Sequence, residues 1–155
     1  MDDSDARDDI FDTVAVRAAG IRAGHPLARV LSGRGNIIEL TEKSHDAALK
    51  PKLPGGLTHS ERAALACRMA RLNHEGDLAS HYESMFAAGD ALYVSIADPL
   101  YDGADDKRLK AIIRHTDLVT RSPKDAAEGD IAALKTAGIV EQDIVRLSEL
   151  IAFVS

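Results

Sequence analysis

THSERAALACRMARLN, residues 58–73, contains the clearest helix signal in the chain. Thr58 and Glu61 have the spacing of a capping box, in which the Thr hydroxyl and the Glu carboxylate each bind a free backbone N–H at the start of a helix. Apolar residues then recur at helical spacing, and arginines occupy much of the remaining surface. We therefore predict an amphipathic helix over 58–72. Its core-facing residues are Leu65, Met69 and Leu72, and its polar surround includes Arg62, Arg68 and Arg71.

A second helix is predicted directly after the first, so that the two form a helical hairpin. Residues 73–76, NHEG, suit a junction because Asn and Gly favour turns. The second helix is expected over 77–88, ending at Gly89, since glycine is common just past a helix C-terminus. Its core-facing residues are Leu78, Tyr82, Met85 and Phe86.

The rest of the chain also favours helices. ALYVSIADP, residues 91–99, has the composition of a strand, but the sequence offers no second strand to pair with it. We interpret it as a short helix, and the chain as an all-α fold of about seven or eight helices around the hairpin. The other helices are expected over 10–19, 26–31, 36–49, 105–120, 129–138 and 141–155.

Length and composition favour one helical domain. The chain has 155 residues, 45% hydrophobic but only 4% aromatic, so Ala, Leu, Ile and Val carry most of the apolar content. The first nine residues include five Asp and are predicted to form a disordered acidic tail. A single domain is predicted over 10–155. It is expected to be truncated or to continue beyond 155, because the last helix has no stop signal.

Charge and cysteine content exclude several classes of protein. A net charge of −6 argues against nucleic-acid binding, and no apolar run approaches the roughly 20 residues that a membrane-spanning helix needs. A lone cysteine, Cys67, cannot form an internal disulfide, and the acidic start is unlike a secretory signal. We expect a cytoplasmic protein with no nucleic-acid or membrane partner, and we identify no cofactor-binding or metal-binding residues.

Three segments resemble the carboxymuconolactone decarboxylase-like superfamily, which includes the AhpD proteins associated with alkyl hydroperoxide reductase. They are GLTHSERAALACRMARLN at 56–73, HYESMFAAG at 81–89 and AAEGDIAALKTAGIVEQDIVRLSELIAFVS at 126–155. Their order and spacing carry the resemblance, which implies an AhpD-like helical domain that assembles as a homo-oligomer, a trimer or a hexamer. The apolar last helix would gain from burial against a neighbouring subunit.

The resemblance also implies which chemistry is missing. In the peroxidase branch a Cys-x-x-Cys pair follows the Leu-Asn junction, and those two positions fall on Glu75 and Leu78. The Glu of the family's proton relay falls near Ala63, where the nearest acid, Glu61, is assigned to the capping box. A thiol peroxidase mechanism is therefore not expected. The decarboxylase branch uses a His soon after the Asn junction, and His81 lies at about that spacing.

His81 is accordingly the candidate catalytic residue. An imidazole titrates near neutral pH and could move a proton on an enolisable substrate. The alternative is a partly buried helix His bonded to a carbonyl or to Glu83. His74, Asp77 and His81 would share one face of an uninterrupted helix, as a metal-binding trio requires, but Gly76 weakens that geometry. Polar surface is the preferred interpretation of the trio.

Cys67 could be a lone redox or nucleophilic thiol. Its neighbours along the helix face are alanines, which provide no base or cation, although Arg68 and Arg71 could lower its pKa if they turned toward it. We interpret Cys67 as a buried structural thiol.

Two hypotheses for the function follow. The preferred one is a non-redox scaffold without the peroxidatic thiols, which acts as the partner or sister domain of an AhpD-like peroxidase. The alternative is a decarboxylase- or isomerase-like enzyme that uses His81 as an acid/base group on a small carboxylate or lactone.

Overall fold

The computed structural model describes residues 9–87 and 89–155. Within these ranges the regular elements are all helical and no strand occurs, so the predicted all-α fold is confirmed. Nine α-helices are present in the described ranges, in agreement with the expected number of about seven or eight. They are α1 (Val14–Ala18), α2 (Ala28–Ser32), α3 (Gly35–Leu49), α4 (His59–Leu72), α5 (Gly76–Glu83), α6 (Ala91–Ala97), α7 (Lys107–Arg121), α8 (Glu128–Thr136) and α9 (Glu141–Val154). Two short 3-10 turns lie at Asp9–Asp12 and Pro123–Asp125.

The chain divides into two compact units, Met1–Ala47 and Ala48–Ser155. The acidic tail expected at 1–9 lies, apart from residue 9, outside the described residues. A single domain over 10–155 stays a prediction. None of the helices in the described ranges has the length and apolar character needed to cross a membrane.

The first unit contains α1, α2 and most of α3 around a small core of its own. Ile10, Val16 and Ile38 are buried together in it. The carboxylate of Glu42, on α3, accepts a hydrogen bond of 2.9 Å from the backbone N–H of Val14 at the start of α1. This bond satisfies one of the free N–H groups that every helix start exposes.

The second unit is built around α4, which is buried on all sides. Residues 61–70 of α4 are all buried, and the helix packs against α5, α6, α7 and α9. Small side chains at four of these positions let the neighbouring helices approach the α4 backbone closely. Leu65 and Met69 lie in the core as predicted, whereas Leu72 is only half-buried. Because other helices surround α4, Arg62 and Arg68 are buried and do not lie on a polar surface as predicted. Their contacts are described below.

The hairpin of α4 and α5 is present, but α5 ends at Glu83, five residues before the predicted end at 88. The backbone N–H of Ser84 bonds the carbonyl oxygens of both Ser80 and His81, and the Ser84 hydroxyl donates to the His81 carbonyl at 2.6 Å. This tightened last turn closes the helix early. Tyr82 and Phe86 are buried as predicted, and Ala88 lies outside the described residues.

Aspartates begin the next two helices. The Asp90 carboxylate accepts from the N–H of Leu92 at 3.0 Å, and the Asp106 carboxylate accepts from the N–H of Leu109 at 2.9 Å. Each bond caps a helix start. The strand-like segment 91–99 is therefore a helix, α6, over most of its length, as predicted.

Helix α9 buries its apolar face inside its own unit, against α4, α7 and α8. The buried residues are Ile144, Leu147, Leu150 and Ile151. These residues are already buried within their own unit. They would therefore gain little from burial against a neighbouring subunit, contrary to the expectation from the sequence. Val140, just before α9, and Val145 remain exposed.

Candidate functional site

Cys67 lies in the middle of α4 with none of its surface exposed to solvent. Its Sγ donates a hydrogen bond to the carbonyl oxygen of Ala79 on α5, at 3.4 Å. Burial raises the pKa of the thiol from its ordinary 9.0 to about 11, while the charge of Arg71 acts in the opposite direction and that of Glu83 in the same direction. A protonated, enclosed thiol is a poor nucleophile. Cys67 therefore packs α4 against α5, as the sequence indicates.

Glu75 and Leu78, the positions onto which the resemblance places the cysteines of the peroxidase branch, lie at the start of α5. Glu75 is the exposed residue that precedes the first turn, and Leu78 packs half-buried against the core. One side chain therefore faces solvent at the junction, and the other contributes to the hairpin's packing.

The trio His74, Asp77 and His81 does not form a metal site. His74 has a left-handed backbone with φ of 62° and precedes α5, which begins at Gly76. The spacing that would place three ligands on one helix face therefore does not apply to it. Among the described side chains, which belong to residues 10–87 and 89–155, no group of three or more His, Cys, Asp or Glu is arranged to hold a metal ion.

His81 is half-buried in the last turn of α5. Its ring lies edge-on to the ring of Tyr82, with 5.2 Å between the centroids. Glu83, the carboxylate considered as its partner, forms an ion pair of 3.1 Å with Arg71. Neither of the two cavities described below is lined by His81.

Glu61 has a different role from the one predicted. The Thr58 hydroxyl does accept from the N–H of Glu61 at 3.1 Å, so the N-cap is correct. The Glu61 carboxylate, however, accepts two hydrogen bonds from Arg108 of α7, at 2.7 and 3.1 Å. Arg108 also donates to the carbonyl of Gly56 at 2.5 Å. The assignment of Glu61 as a cap is wrong because its side chain is buried, and a buried carboxylate requires a cationic partner.

Arg68 is the most extensively bonded side chain in the core, and only 1% of its surface is exposed. Its Nε and one terminal nitrogen donate to the two carboxylate oxygens of Asp117 on α7, at 2.6 and 2.7 Å. The remaining N–H groups donate to the carbonyl oxygens of Ile96, Asp98 and Pro99. All five donors of the guanidinium are thereby used. Arg68 joins α4, α7 and the end of α6.

Arg62 is also buried, with 2% of its surface exposed, and it organises the loop before α4. Its guanidinium donates to the carbonyl oxygens of Leu57, Ala48 and Pro54 at 3.0, 3.1 and 2.9 Å. Burial lowers the pKa of Arg62, with Arg146 contributing in the same direction. The predicted placement of Arg62 and Arg68 in a polar surround is wrong, because the backbone carbonyls around α4 need donors that only a long cationic side chain can bring.

The described part of the chain contains a shallow cavity of about 430 Å³ between α7 and α8. Three alanines form apolar walls, and lysines, an arginine and His115 contribute polar groups. His115 is 7% exposed, its Nδ1 has no hydrogen-bond partner, and burial lowers its pKa. The sequence reasoning did not identify His115. A signal was present, since the residue lies three positions after Ile112 and so continues the buried stripe of α7.

A second cavity of about 130 Å³ lies beside the Glu61–Arg108 pair. Tyr93 and Ile96 of α6 form one side of it, and Asp106 and Arg108 form another. The ring of Tyr93 also approaches that of Phe86, with 6.3 Å between the centroids. Tyr93 thus lines a cavity that has room for only a few water molecules.

No family model matches the chain, and no curated protein or solved structure is significantly similar to it. The resemblance to the carboxymuconolactone decarboxylase-like superfamily therefore rests on the residue pattern alone.

Proposed function

We propose that this chain is a non-redox scaffold protein, an AhpD-like relative without the peroxidatic thiols. The observation that carries the proposal is the state of its single thiol. Cys67 is enclosed between α4 and α5 with its pKa raised to about 11, and the two positions where the peroxidase branch has cysteines hold Glu75 and Leu78. The helical hairpin is present, but the Cys-x-x-Cys pair that the peroxidase mechanism needs is absent from it.

The bonding of the second unit supports a structural role. Arg68 fixes α4 to α7 and to the end of α6, and Glu61 fixes the start of α4 to α7 through Arg108. Buried charged pairs of this kind hold elements in one arrangement, because any other arrangement leaves a buried charge without its partner. A rigid framework of this type suits a protein that presents a fixed surface to other subunits.

A hydroperoxide assay tests the redox part of the proposal. The purified chain is supplied with an organic hydroperoxide and a dithiol reductant, and we expect no turnover above the buffer rate. The matched variant Cys67→Ser should behave identically. Catalytic turnover, whether or not it survives Cys67→Ser, would overturn the proposal.

The second candidate function is a decarboxylase- or isomerase-like activity with His81 as the acid/base group. The observation in its favour is that the ring is half-buried and packed edge-on against Tyr82, which holds it in one orientation. The enzyme would act on a small carboxylate or lactone, as the resemblance implies.

Release of CO2 from a panel of small β-keto acids and lactone carboxylates, together with proton exchange at their α-carbon, separates the two candidates. The scaffold predicts rates equal to those of buffer. A rate enhancement that disappears in His81→Gln, with the helical circular dichroism unchanged, would replace the scaffold proposal by the enzyme.

A further inference from the structure

The cavity between α7 and α8 combines apolar walls with a basic rim. On α7, residues Lys107, Lys110, Ala111, Arg114 and His115 recur at spacings of three and four, so they share one face of the helix. On the opposing side, Asp130 and Ala133 of α8 and Ala137 at its C-terminal end recur at the same spacings of three and four. The volume of about 430 Å³ lies within the range of small-molecule sites.

His115 adds a titratable ring to the wall of the cavity. The side chain is more than nine-tenths buried and lines the cavity, yet its Nδ1 has no hydrogen-bond partner. Buried polar atoms in proteins are almost always bonded, so one that is not requires an explanation. Nδ1 itself is closed off from solvent, so a bound polar group would reach it only if the ring turned toward the cavity.

The charged residues at the rim of the cavity indicate the sign of the charge on the ligand. Lys107 and Arg114 form no ion pair with any described side chain of the second unit, while Lys110 pairs with the exposed Asp102 at 3.3 Å. Asp130 is the single carboxylate among the lining residues. Three cations against one anion in a chain of net charge −6 make this a locally basic site on an acidic protein. Such a site attracts anions.

We propose that this cavity binds a small organic carboxylate with an apolar body. The carboxylate lies at the rim beside Lys107 and Arg114, with His115 as a further polar contact. The apolar body lies against Ala111, Ala133 and Ala137, which a bare inorganic anion would leave unused. The site is separate from the α4–α5 hairpin on which the proposed function rests, so either proposal can fail without the other.

Octanoate is a suitable probe because it has both the charge and the apolar body. Binding is followed by ¹H–¹⁵N NMR titration of the full chain. We expect saturable shifts at residues of α7 and α8 that line the cavity. Octanamide, which lacks the charge, and acetate, which lacks the body, should each bind at least about tenfold more weakly, equivalent to 1.4 kcal/mol.

Three variants locate the site. Ala133→Leu adds bulk at an exposed position and should abolish binding by filling the cavity. The double variant Lys107→Gln/Arg114→Gln should weaken octanoate by about fivefold or more, while leaving octanamide unchanged. Arg121→Gln, which removes an exposed cation from the end of α7 outside the cavity, is the matched control and should bind like the parent.

Absence of saturable shifts with octanoate at millimolar concentration would overturn the proposal. So would equal weakening by Arg121→Gln and by the double variant, because the attraction would then be a general effect of surface charge. Equal binding of octanoate and octanamide would also overturn it, by removing the role of the cations. The NMR spectrum of each variant shows directly whether it is folded.

Discussion

At the scale of single residues, the buried arginines hold the helices of the second unit together. Arg68 lies in the core because three backbone carbonyls and the Asp117 carboxylate converge on it, and its five donors match them. An apolar side chain of similar length would leave a partly buried carboxylate without a counter-charge. The arginine therefore acts as a polar centre for three helices.

Arg68→Met is expected to lower the free energy of unfolding by about 3–5 kcal/mol, because breaking a buried pair leaves the other charge uncompensated. Urea denaturation followed by circular dichroism measures the change. Arg121→Met, at an exposed position, is the control and should change stability by less than about 0.5 kcal/mol. A loss below about 1 kcal/mol for Arg68→Met would contradict the structural role of the pair.

The raised pKa of the Cys67 thiol predicts a specific pH dependence of the free energy of unfolding. Its pKa is raised from 9.0 to about 11 in the folded chain, so above pH 9 the unfolded chain releases the thiol proton while the folded chain keeps it. The folded state then binds more protons, and stability falls as pH rises. The contribution of the protonated Cys67 thiol to the free energy of unfolding is fully present below pH 9. It is lost between pH 9 and about 11, where the free energy of unfolding falls by up to about 2–3 kcal/mol.

Denaturation at pH 8 and pH 10.5 measures this loss. Cys67→Ala lacks the titrating thiol and should show a correspondingly smaller decline over the same interval. Equal declines in the two proteins would show that other groups, rather than Cys67, cause the pH dependence.

At the scale of elements, the loop before α4 depends on a close approach of backbone to side chains. Gly55 has φ of +68°, and a Cβ at this position would lie against the Arg146 guanidinium and the Asp143 carboxylate. Asp143 in turn accepts from the N–H of Gly56 at 3.0 Å and from Arg146 at 2.8 Å. The loop is therefore held to α9 by contacts that only glycine permits.

Gly55→Ala is expected to destabilise the chain by about 1–3 kcal/mol, from the left-handed backbone and the clash together. Gly129→Ala is a matched control, because a Cβ there meets nothing within 4 Å and the residue lies in α8. It should be neutral or stabilising by up to about 1 kcal/mol. Thermal unfolding of both variants tests the pair, and similar midpoints would contradict this account of the loop.

At the scale of the whole molecule, the prediction concerns assembly of the chain into a homo-oligomer. The apolar face of α9 is buried within its own unit, so an interface has to use other residues. Leu100, just after α6, is 92% exposed, the highest value among the large apolar residues described in the structure. Full burial of a leucine side chain is worth about 1.5–3 kcal/mol, so Leu100 is the apolar residue that would gain most from a subunit interface.

We expect the chain to sediment as a homo-oligomer at micromolar concentration, with Leu100 in the interface. Leu100→Glu should shift the species toward monomer without lowering the thermal midpoint of the monomer, because the side chain makes few contacts within its own chain. Gln142→Glu adds the same charge at an exposed polar position of α9 and is the control. Sedimentation of the parent chain as a monomer would refute the prediction.

The sequence by itself determined the helices. Periodic apolar residues, the Thr58 cap and turn residues between segments predict an all-α chain with a hairpin near 58–88, and these signals are local, so they act within a few residues. The end of α5 at Glu83 was missed, because a tightened turn at Ser84 has no distinctive pattern in the sequence.

Only the tertiary structure decided which polar residues are buried and what they bind. Arg68 and Asp117 are 49 positions apart, and Arg108 and Glu61 are 47 apart, so no local pattern links them. A helix surrounded on all sides buries its arginines, whereas the same sequence on a surface would expose them. The same holds for His115, whose cavity exists only because α8 packs beside α7. Local spacing fixes the period of a helix, but burial depends on which other helices cover each face.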